Sequence, residues 1–457
     1  MEGAQQQAAR PRPRRGDELE LTIDRLAYGG AGVARTEAGY VVFVRGAVPG
    51  DRVRARIGKS KRSWAEADVE ELLEPSPERI EPKAPHPGAS WQVLAYERQL
   101  EEKEAQIRDA LSRIGGFEDP PVEAILPAVE EWRYRNKLEY SFGTDEDGEL
   151  VLGFHRPGRW DLIDDVDDDI LASERINDVR EAVTAWCREE GLDAWDRDDQ
   201  LGLLRNLVVR EGRRTRQVQA RIITSPGSEF RVDALAAATP ADSFVWTRAE
   251  GVAETTRGGE TQVVKGPAHL EEEMSGLRFR ISPDAFFQTN TEMAERLYGS
   301  AVELAGLRGR ERVLDLFCGI GTIASVLALD AAEVWGVEIV EEAVRDAIEN
   351  ATLNGIDNAR FFAGDVRLVI RELLEQSGKP DVVVVDPPRA GLSQKVVRRI
   401  VEADADRIVY VSCNPTTLAP NARQLVDDGG YRLTTVRPVD MFPQTPHIEC
   451  VALLERA

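Results

Sequence analysis

Lysine is scarce in this chain: only eight of its 58 basic residues are Lys, and the rest are Arg. Histidine, cysteine and methionine are scarcer still, at four each in 457 residues. No stretch approaches the roughly 18 consecutive apolar residues that a membrane-spanning helix needs, so no span is expected. The cysteines, Cys187, Cys318, Cys413 and Cys450, are scattered without metal-ligand spacing. That argues against a disulfide framework, predicts no metal site and suits a reducing cytoplasm. The first residues are polar and Arg-bearing with no apolar h-region, so no secretory leader is expected. Met1–Arg15, rich in Gln, Arg and Pro, reads as a disordered lead-in.

Positive charge is also in deficit. Asp and Glu number 81 and the formal net charge is −23. Taken alone, that balance argues against a nucleic-acid partner, because phosphates are held by cations. Abundant acid with little Lys, however, resembles the proteins of salt-accumulating halophilic archaea, and such a source is expected. The acid would then be a solvated coat, with basic patches as local exceptions. The competing reading is an ordinary acidic protein that binds no nucleic acid.

The length predicts two or three domains with ample core. Residues 16–74 hold short strand-like runs (LELTI, YVVFV, RVRARI, AEADVEELL) between the turn signals Gly29-Gly30, Gly46 and Pro49-Gly50. Four or five such strands suit a small OB-like barrel. Arg52, Arg54 and Arg56 alternate on one strand, followed by Lys59, Lys61, Arg62 and Trp64. Alternate residues share a face, which suits a phosphate track; a merely solvated face is the other reading. The pattern resembles a TRAM domain, an RNA-binding barrel.

Pro75–Pro87 reads as a linker. Tyr96–Ile114 has Leu100, Ile107, Leu111 and Ile114 at helical spacing and ends at Gly115-Gly116. This helix, within 94–115, is expected to pack on the catalytic domain. Residues 84–270 read as a mainly antiparallel central domain. Its basic residues cluster in WRYRNKLEYSF (Arg133, Arg135, Lys137) and along Leu203–Ile223 (Arg205, Arg210, Arg213, Arg214, Arg216, Arg221), which predicts a second basic surface.

From Leu277 the pattern changes. One strand, a turn and a long helix lead into regular strand–helix alternation over 271–457. That predicts a doubly wound, Rossmann-like α/β sheet. Asp315-Leu-Phe-Cys-Gly-Ile-Gly-Thr322 joins its first strand to a helix, and Gly319 and Gly321 let the backbone turn and approach a ligand. Glu338 ends the second strand, where a carboxylate can take both ribose hydroxyls. A dinucleotide fingerprint also fits the loop, and alone it is weak. Asp315 before the loop and Asp365 at the third strand end, where methyltransferases of this fold contact adenine, favour S-adenosylmethionine over NAD. As isolated residues, these acids could equally be helix caps or solvated strand ends.

The apolar strand in Val409–Pro415 (VYVSCNP) delivers Cys413 to the carboxyl edge of the sheet, where ligands bind in such folds. The bland alternative is a half-buried core cysteine. With the loop, DPPR at Asp386–Arg389 and Glu449 in MFPQTPHIECV, this segment resembles the RNA uracil-5-methyltransferase family, most closely over Phe286–Val451. The resemblance implies Cys413 as the nucleophile that adds to uracil carbon 6 and Glu449 as the base that removes the carbon 5 proton. It places cofactor contacts at Gln288, Phe317, Thr322, Glu338, Asp365 and Asp386. Other members often carry Asn at the Thr322 position. Phe286 or Phe287 is free to stack on a base or to pack the core.

Several members hold an iron–sulfur cluster with three cysteines in the segment matching Ala84–Gln92 and a fourth near Asp169. This chain has Ala84, Gly88, Ala89, Ser90 and Asp169 there, so no cluster is expected. The implied substrate is RNA, 23S ribosomal RNA ahead of transfer RNA, and the implied state a cytoplasmic monomer. One alternative is methylation of an exocyclic base amine, which also uses Asp-Pro-Pro but usually with an aromatic next, where this chain has Arg389. Another is a non-catalytic RNA-binding module.

Overall fold

The computed structural model describes residues 12–156, 158–227, 230–252 and 255–457. Most of the expected lead-in, Met1–Arg15, lies outside the described residues. The chain forms two compact units. The first is Met1–Gln106 with Phe442–His447, and the second is Ile107–Met441 with Ile448–Ala457. No helix among the described residues is long and apolar enough to cross a membrane.

In the first unit β1 (Glu18–Leu26), β2 (Gly32–Arg35), β3 (Val41–Arg45), β4 (Arg52–Ser60) and β5 (Trp64–Glu74) close a barrel in the order β1-β2-β3-β5-β4. Strict alternation buries Leu21, Ile23, Val42, Val44, Val53, Ala55 and Ile57 inside it. Arg52, Arg54 and Arg56 do share the outer face of β4. The register then sets acids beside them on both neighbouring strands. Arg52 pairs with Glu20 at 2.9 Å and Glu74 at 2.6 Å, Arg54 with Glu71, and Arg56 with Glu18 at 2.9 Å and Glu70 at 2.6 Å. The expected phosphate track is thus a ladder of exposed ion pairs within the barrel.

After the barrel, the Gln92 amide fastens the segment that holds a cluster in some members of the resembled family. Its Nε2 donates to the Ala84 carbonyl at 2.7 Å and its Oε1 accepts from Lys83 N–H at 2.9 Å. Helix α1 (Tyr96–Arg113) follows as expected. Gln99 on α1 and Gln444 clasp each other. Gln99 Nε2 donates to Gln444 Oε1 at 2.8 Å and Gln444 N–H donates to Gln99 Oε1 at 2.9 Å. Gln444 itself sits at φ +65°, a left-handed conformation held in place by these bonds.

The second unit begins with a seven-stranded, mainly antiparallel sheet built from β6 (Lys137–Thr144), β7 (Leu150–Arg156), β8 (Arg159–Asp165), β9 (Leu204–Glu211), β10 (Val218–Thr224), β11 (Ser243–Arg248) and β12 (Glu260–Lys265). Its order is β12-β11-β10-β9-β6-β7-β8, and only β10 and β11 run parallel. Helices α2 (Glu174–Glu189) and α3 (Val232–Ala238) cover one face, packing Ile176, Val179, Val183 and Leu235 on Tyr140, Leu207 and Ile222. The expected basic surface needs correction here, because Arg205, Arg210 and Arg221 are buried. Burial is tolerable because each is hydrogen-bonded. Arg205 reaches the Gly251 carbonyl at 2.7 Å, Arg210 the Ala285 carbonyl at 2.9 Å, and Arg221 the Asp284 carboxylate at 2.6 Å.

A hairpin of β13 (Leu270–Met274) and β14 (Leu277–Ile281) precedes the long helix α4 (Thr291–Ala305). Then come β15 (Arg312–Leu316), α5 (Thr322–Leu327), β16 (Glu333–Glu338), α6 (Glu341–Leu353), β17 (Ala359–Ala363), α7 (Val366–Ser377), β18 (Val382–Val385), α8 (Gln394–Ala403), β19 (Arg407–Ser412), α9 (Pro415–Gly429), β20 (Tyr431–Val439) and β21 (Glu449–Arg456). The sheet order is β17-β16-β15-β18-β19-β21-β20. The strands from β17 to β19 are parallel, and β21 pairs antiparallel with both β19 and β20. Chain order reverses on the two sides of β15. That makes the carboxyl ends of β15, β16 and β18 the ligand crevice of such a sheet.

Candidate active site

The loop after β15 meets the demands of a close ligand approach. Gly319 (φ +54°) and Gly321 (φ +79°) lie in the left-handed region. A Cβ on Gly321 would come within 3.0 Å of Ala347 and of the Phe361 ring, so only glycine fits there. Phe317, between the strand and these glycines, also takes a positive φ of 66° and donates its N–H to the Val337 carbonyl at 2.9 Å. Thr322 is buried as the first residue of α5.

At the next strand end, Glu338 accepts from Gly319 N–H at 3.2 Å and from Ile339 N–H at 2.7 Å, which fixes its carboxylate against the loop. Asp315 is wholly buried, and neither of its oxygens has a good hydrogen-bond partner in the protein. Burial first, then the nearby Asp386 and Glu338 charges, push its pKa well above the usual carboxylate range. A glycine cradle, a strand-end carboxylate fixed against it and a buried acid with unused acceptors fit an S-adenosylmethionine site. Asp365 behaves first as a cap. It accepts from Arg367 N–H at 2.9 Å at the start of α7, and its pKa falls to about 2 through the Arg367 guanidinium.

Cys413 is placed by both of its neighbours. Ser412 ends β19, and its hydroxyl accepts from Asn414 N–H at 3.1 Å. Asn414 caps α9 by accepting from Thr416 N–H at 3.0 Å, and Pro415 opens the helix. Across the sheet, β21 pairs with β19 in the register Val411↔Val451, Ser412↔Cys450. The ladder ends at that pair, so Cys413 leaves β19 beside the strand whose first residue is Glu449, and the Glu449 charge bears on the Cys413 thiol. Asp386, one residue beyond β18, is the third group. Tyr298, buried on α4, lies near Gln288 and Thr322 and within the field of Asp386 and Glu449.

The electrostatics tie these groups together. Burial pushes Asp386 up to about 7. Burial and then the Asp386 charge push buried Glu449 well above the carboxylate range. The Cys413 thiol is pushed up to about 12, by burial first and then by Glu449 and Asp386. Arg389, in DPPR, opposes the shift at both Cys413 and Glu449. The sequence reading gave Arg389 no role and did not single out Tyr298; only proximity in the fold discloses them. The two phenylalanines separate cleanly. Phe287 is buried against Phe279, whereas Phe286 is 59% exposed. Of the four cysteines only Cys413 is not buried, and none is in a disulfide. Among the described residues, no group of three or more His, Cys, Asp or Glu could hold a metal ion.

Comparison with known proteins follows the same lines. The tRNA (Uracil-5-)-methyltransferase family matches residues 261–457, and the TRAM domain matches residues 12–69. An uncharacterized RNA methyltransferase of Chlorobaculum tepidum is 40% identical, with 98% of each chain covered. One from Halalkalibacterium halodurans is 38% identical over 96% of this chain and 97% of its own. The crystal structure of the Pyrococcus abyssi tRNA (uracil-54, C5)-methyltransferase with S-adenosyl-L-homocysteine is similar at a TM-score of 0.77. Identity is 29%, and the match covers 95% of this chain and all of that one. Both sequence relatives are bacterial and lend no support to the halophilic archaeal source read from the acid excess. Net charge reports on solvation, not on lineage. The chain belongs to the RNA uracil-5-methyltransferase family and carries a TRAM domain on its N-terminal side.

Proposed function

We propose that this chain methylates carbon 5 of a uridine in RNA, with S-adenosylmethionine as donor, through a covalent bond between Cys413 and carbon 6 of the base. The nearness of Cys413 and Glu449, at the adjoining ends of the paired strands β19 and β21, supports the reading. The Cys413 thiolate adds to carbon 6, and the double-bond pair moves out to the carbonyl as an enolate. S-adenosylmethionine, when bound, supplies an electrophilic methyl group and a sulfonium charge. Carbon 5 takes the methyl as the carbon–sulfur bond of the donor breaks. Glu449 removes the carbon 5 proton, the double bond re-forms and the Cys413 thiolate leaves.

Asp386 is assigned to hydrogen-bond the uracil or the cofactor amine. Gln288, Phe317, Thr322, Glu338 and Asp365 are assigned to the cofactor, and Phe286 to stacking on a base. The target uridine must leave its stack to reach Cys413. We assign residues 16–74 to RNA capture, 84–270 to a central domain and 271–457 to chemistry, in a cytoplasmic monomer without an iron–sulfur cluster. Purified anaerobically, the protein should be colourless.

Ribosomal 23S RNA is the proposed target, on the length of the central domain. Transfer RNA is the second reading, favoured by whole-chain likeness to the Pyrococcus abyssi enzyme. Mapping 5-methyluridine in both RNAs from a deletion strain decides between them. Loss from 23S RNA alone supports the first reading, and loss from transfer RNA alone the second. If neither RNA loses the base and the protein fails to bind S-adenosylhomocysteine in a titration, the catalytic reading falls.

A further inference from the structure

The motif WRYRNKLEYSF was read as part of a basic surface, yet the structure buries its Asn136 at the start of the central sheet. The Asn136 amide Nδ2 donates to the Gln288 carbonyl at 3.0 Å and to the Thr291 hydroxyl at 2.8 Å. Its own N–H donates to the Thr289 carbonyl at 2.8 Å. The hydroxyl of Thr291, the first residue of α4, donates to the Glu272 carboxylate at 2.9 Å. Glu272 is buried on β13 and also accepts from the N–H groups of Arg213 at 2.7 Å, Arg214 at 3.0 Å and Glu273 at 2.9 Å. The bonds from Asn136 to Gln288 and Thr291 and from Thr291 to Glu272 are buried, so each is held to one geometry.

The stretch being held has little structure of its own. Residues 282–290 between β14 and α4 form neither helix nor strand. They carry exposed Phe286 and buried Gln288 into the site. Arg210 holds the Ala285 carbonyl at 2.9 Å on one side, and Asn136 holds the Gln288 and Thr289 carbonyls on the other. A segment without a ladder of its own needs outside donors to keep a side chain within the tolerance that catalysis requires.

We propose that Asn136 is a positioning residue: from the central sheet, with Thr291 and Glu272 behind it, it fixes Gln288 in the orientation that binds the cofactor. The proposal rests on the reading of Gln288 as a cofactor contact. Asn136 touches neither cofactor nor base; it acts through the Gln288 backbone. The central sheet therefore sets cofactor affinity as well as offering surface to RNA.

The test is calorimetric titration of the full chain with S-adenosylhomocysteine, beside RNA binding by filter retention and thermal melting. Asn136→Ala should weaken cofactor binding by about tenfold, the equivalent of one lost buried hydrogen bond. RNA affinity should stay within about twofold, since no RNA-facing group is removed. Gln288→Ala should weaken cofactor binding at least as much, and the double variant should be no weaker than Gln288→Ala alone, the mark of two residues acting as one. Thr291→Val, equal in shape but lacking the hydroxyl, should follow Asn136→Ala, and Thr291→Ser should restore wild-type affinity. This pair decides the matter if Asn136→Ala does not fold. Additive effects, or wild-type affinity in Asn136→Ala or Thr291→Val while Gln288→Ala is impaired, overturn the bracket and leave Gln288 as a contact. Wild-type affinity in Gln288→Ala overturns both.

Discussion

The barrel face and the crevice of the methyltransferase sheet treat charge in opposite ways. On β4 the three alternate arginines have carboxylate partners, and both members of each pair are well exposed. In the crevice, the Asp386 charge raises the pKa of both Asp315 and Glu449, and Arg389 offsets the shifts at Glu449 and Cys413. Exposed pairs are worth about 0–1 kcal/mol and are screened by salt. Uncompensated buried charges are costly, and that cost holds the Cys413 thiol and the Glu449 carboxyl in their neutral forms.

Removing the reactive groups is the strongest way to break that contrast. Cys413→Ala should abolish both 5-methyluridine and any enzyme–RNA adduct. Glu449→Gln keeps the thiol but loses the base, so it should accumulate as a denaturation-resistant complex with methylated RNA. The double variant should form no such band on a denaturing gel. Product from Cys413→Ala, or wild-type turnover by Glu449→Gln, would count against these roles.

A smaller effect tests the shared field. Cys413 is the only cysteine that is not buried, so alkylation by iodoacetamide reports on its thiolate. Asp386 raises the Cys413 pKa, and it bears a charge mainly above about pH 7. Asp386→Asn removes that charge, so the alkylation profile should move to lower pH. Arg389 acts with the opposite sign, so Arg389→Met should move the profile to higher pH. Two variants moving the same way would sink the assignment.

The smallest effect belongs to the barrel. Arg54→Ala should change unfolding free energy by less than about 1 kcal/mol in denaturant titration, because its partners are exposed. That change should fade in molar potassium chloride, where the Debye length is roughly 3 Å. A loss of several kcal/mol would mean that the ladder holds the barrel together.

Local pattern made the strand–helix alternation, the Asp315–Thr322 loop and the carboxyl-edge position of Cys413 legible, because each is a property of neighbours in sequence. Cys413 and Glu449 were legible only as parts of two separate motifs, and the pairing of β19 with β21 brings the ends that carry them together. The fate of the arginines was hidden. Alternation put Arg52, Arg54 and Arg56 on one face, but the Glu residues opposite belong to strands whose pairing no local pattern reveals. Arg210 and Arg221 were misjudged for a related reason. Polar residues on a strand read as surface until something packs over them, and here residues 282–290 do.

The Gln99–Gln444 clasp has a consequence for the order in which the molecule is made. Phe442–His447 completes the N-terminal unit but is encoded far downstream of it. At about 5–20 residues per second, a ribosome needs tens of seconds to travel from Gln106 to Phe442. Throughout that interval the nascent barrel and the start of α1 wait without their last strip of chain. Gly30 has to accept Pro446 at a distance where a Cβ would lie only 2.7 Å from the proline ring, so the vacancy cannot be filled by an ordinary side chain. Arrival of Phe442–His447, not completion of the barrel strands, is then the event that closes this unit.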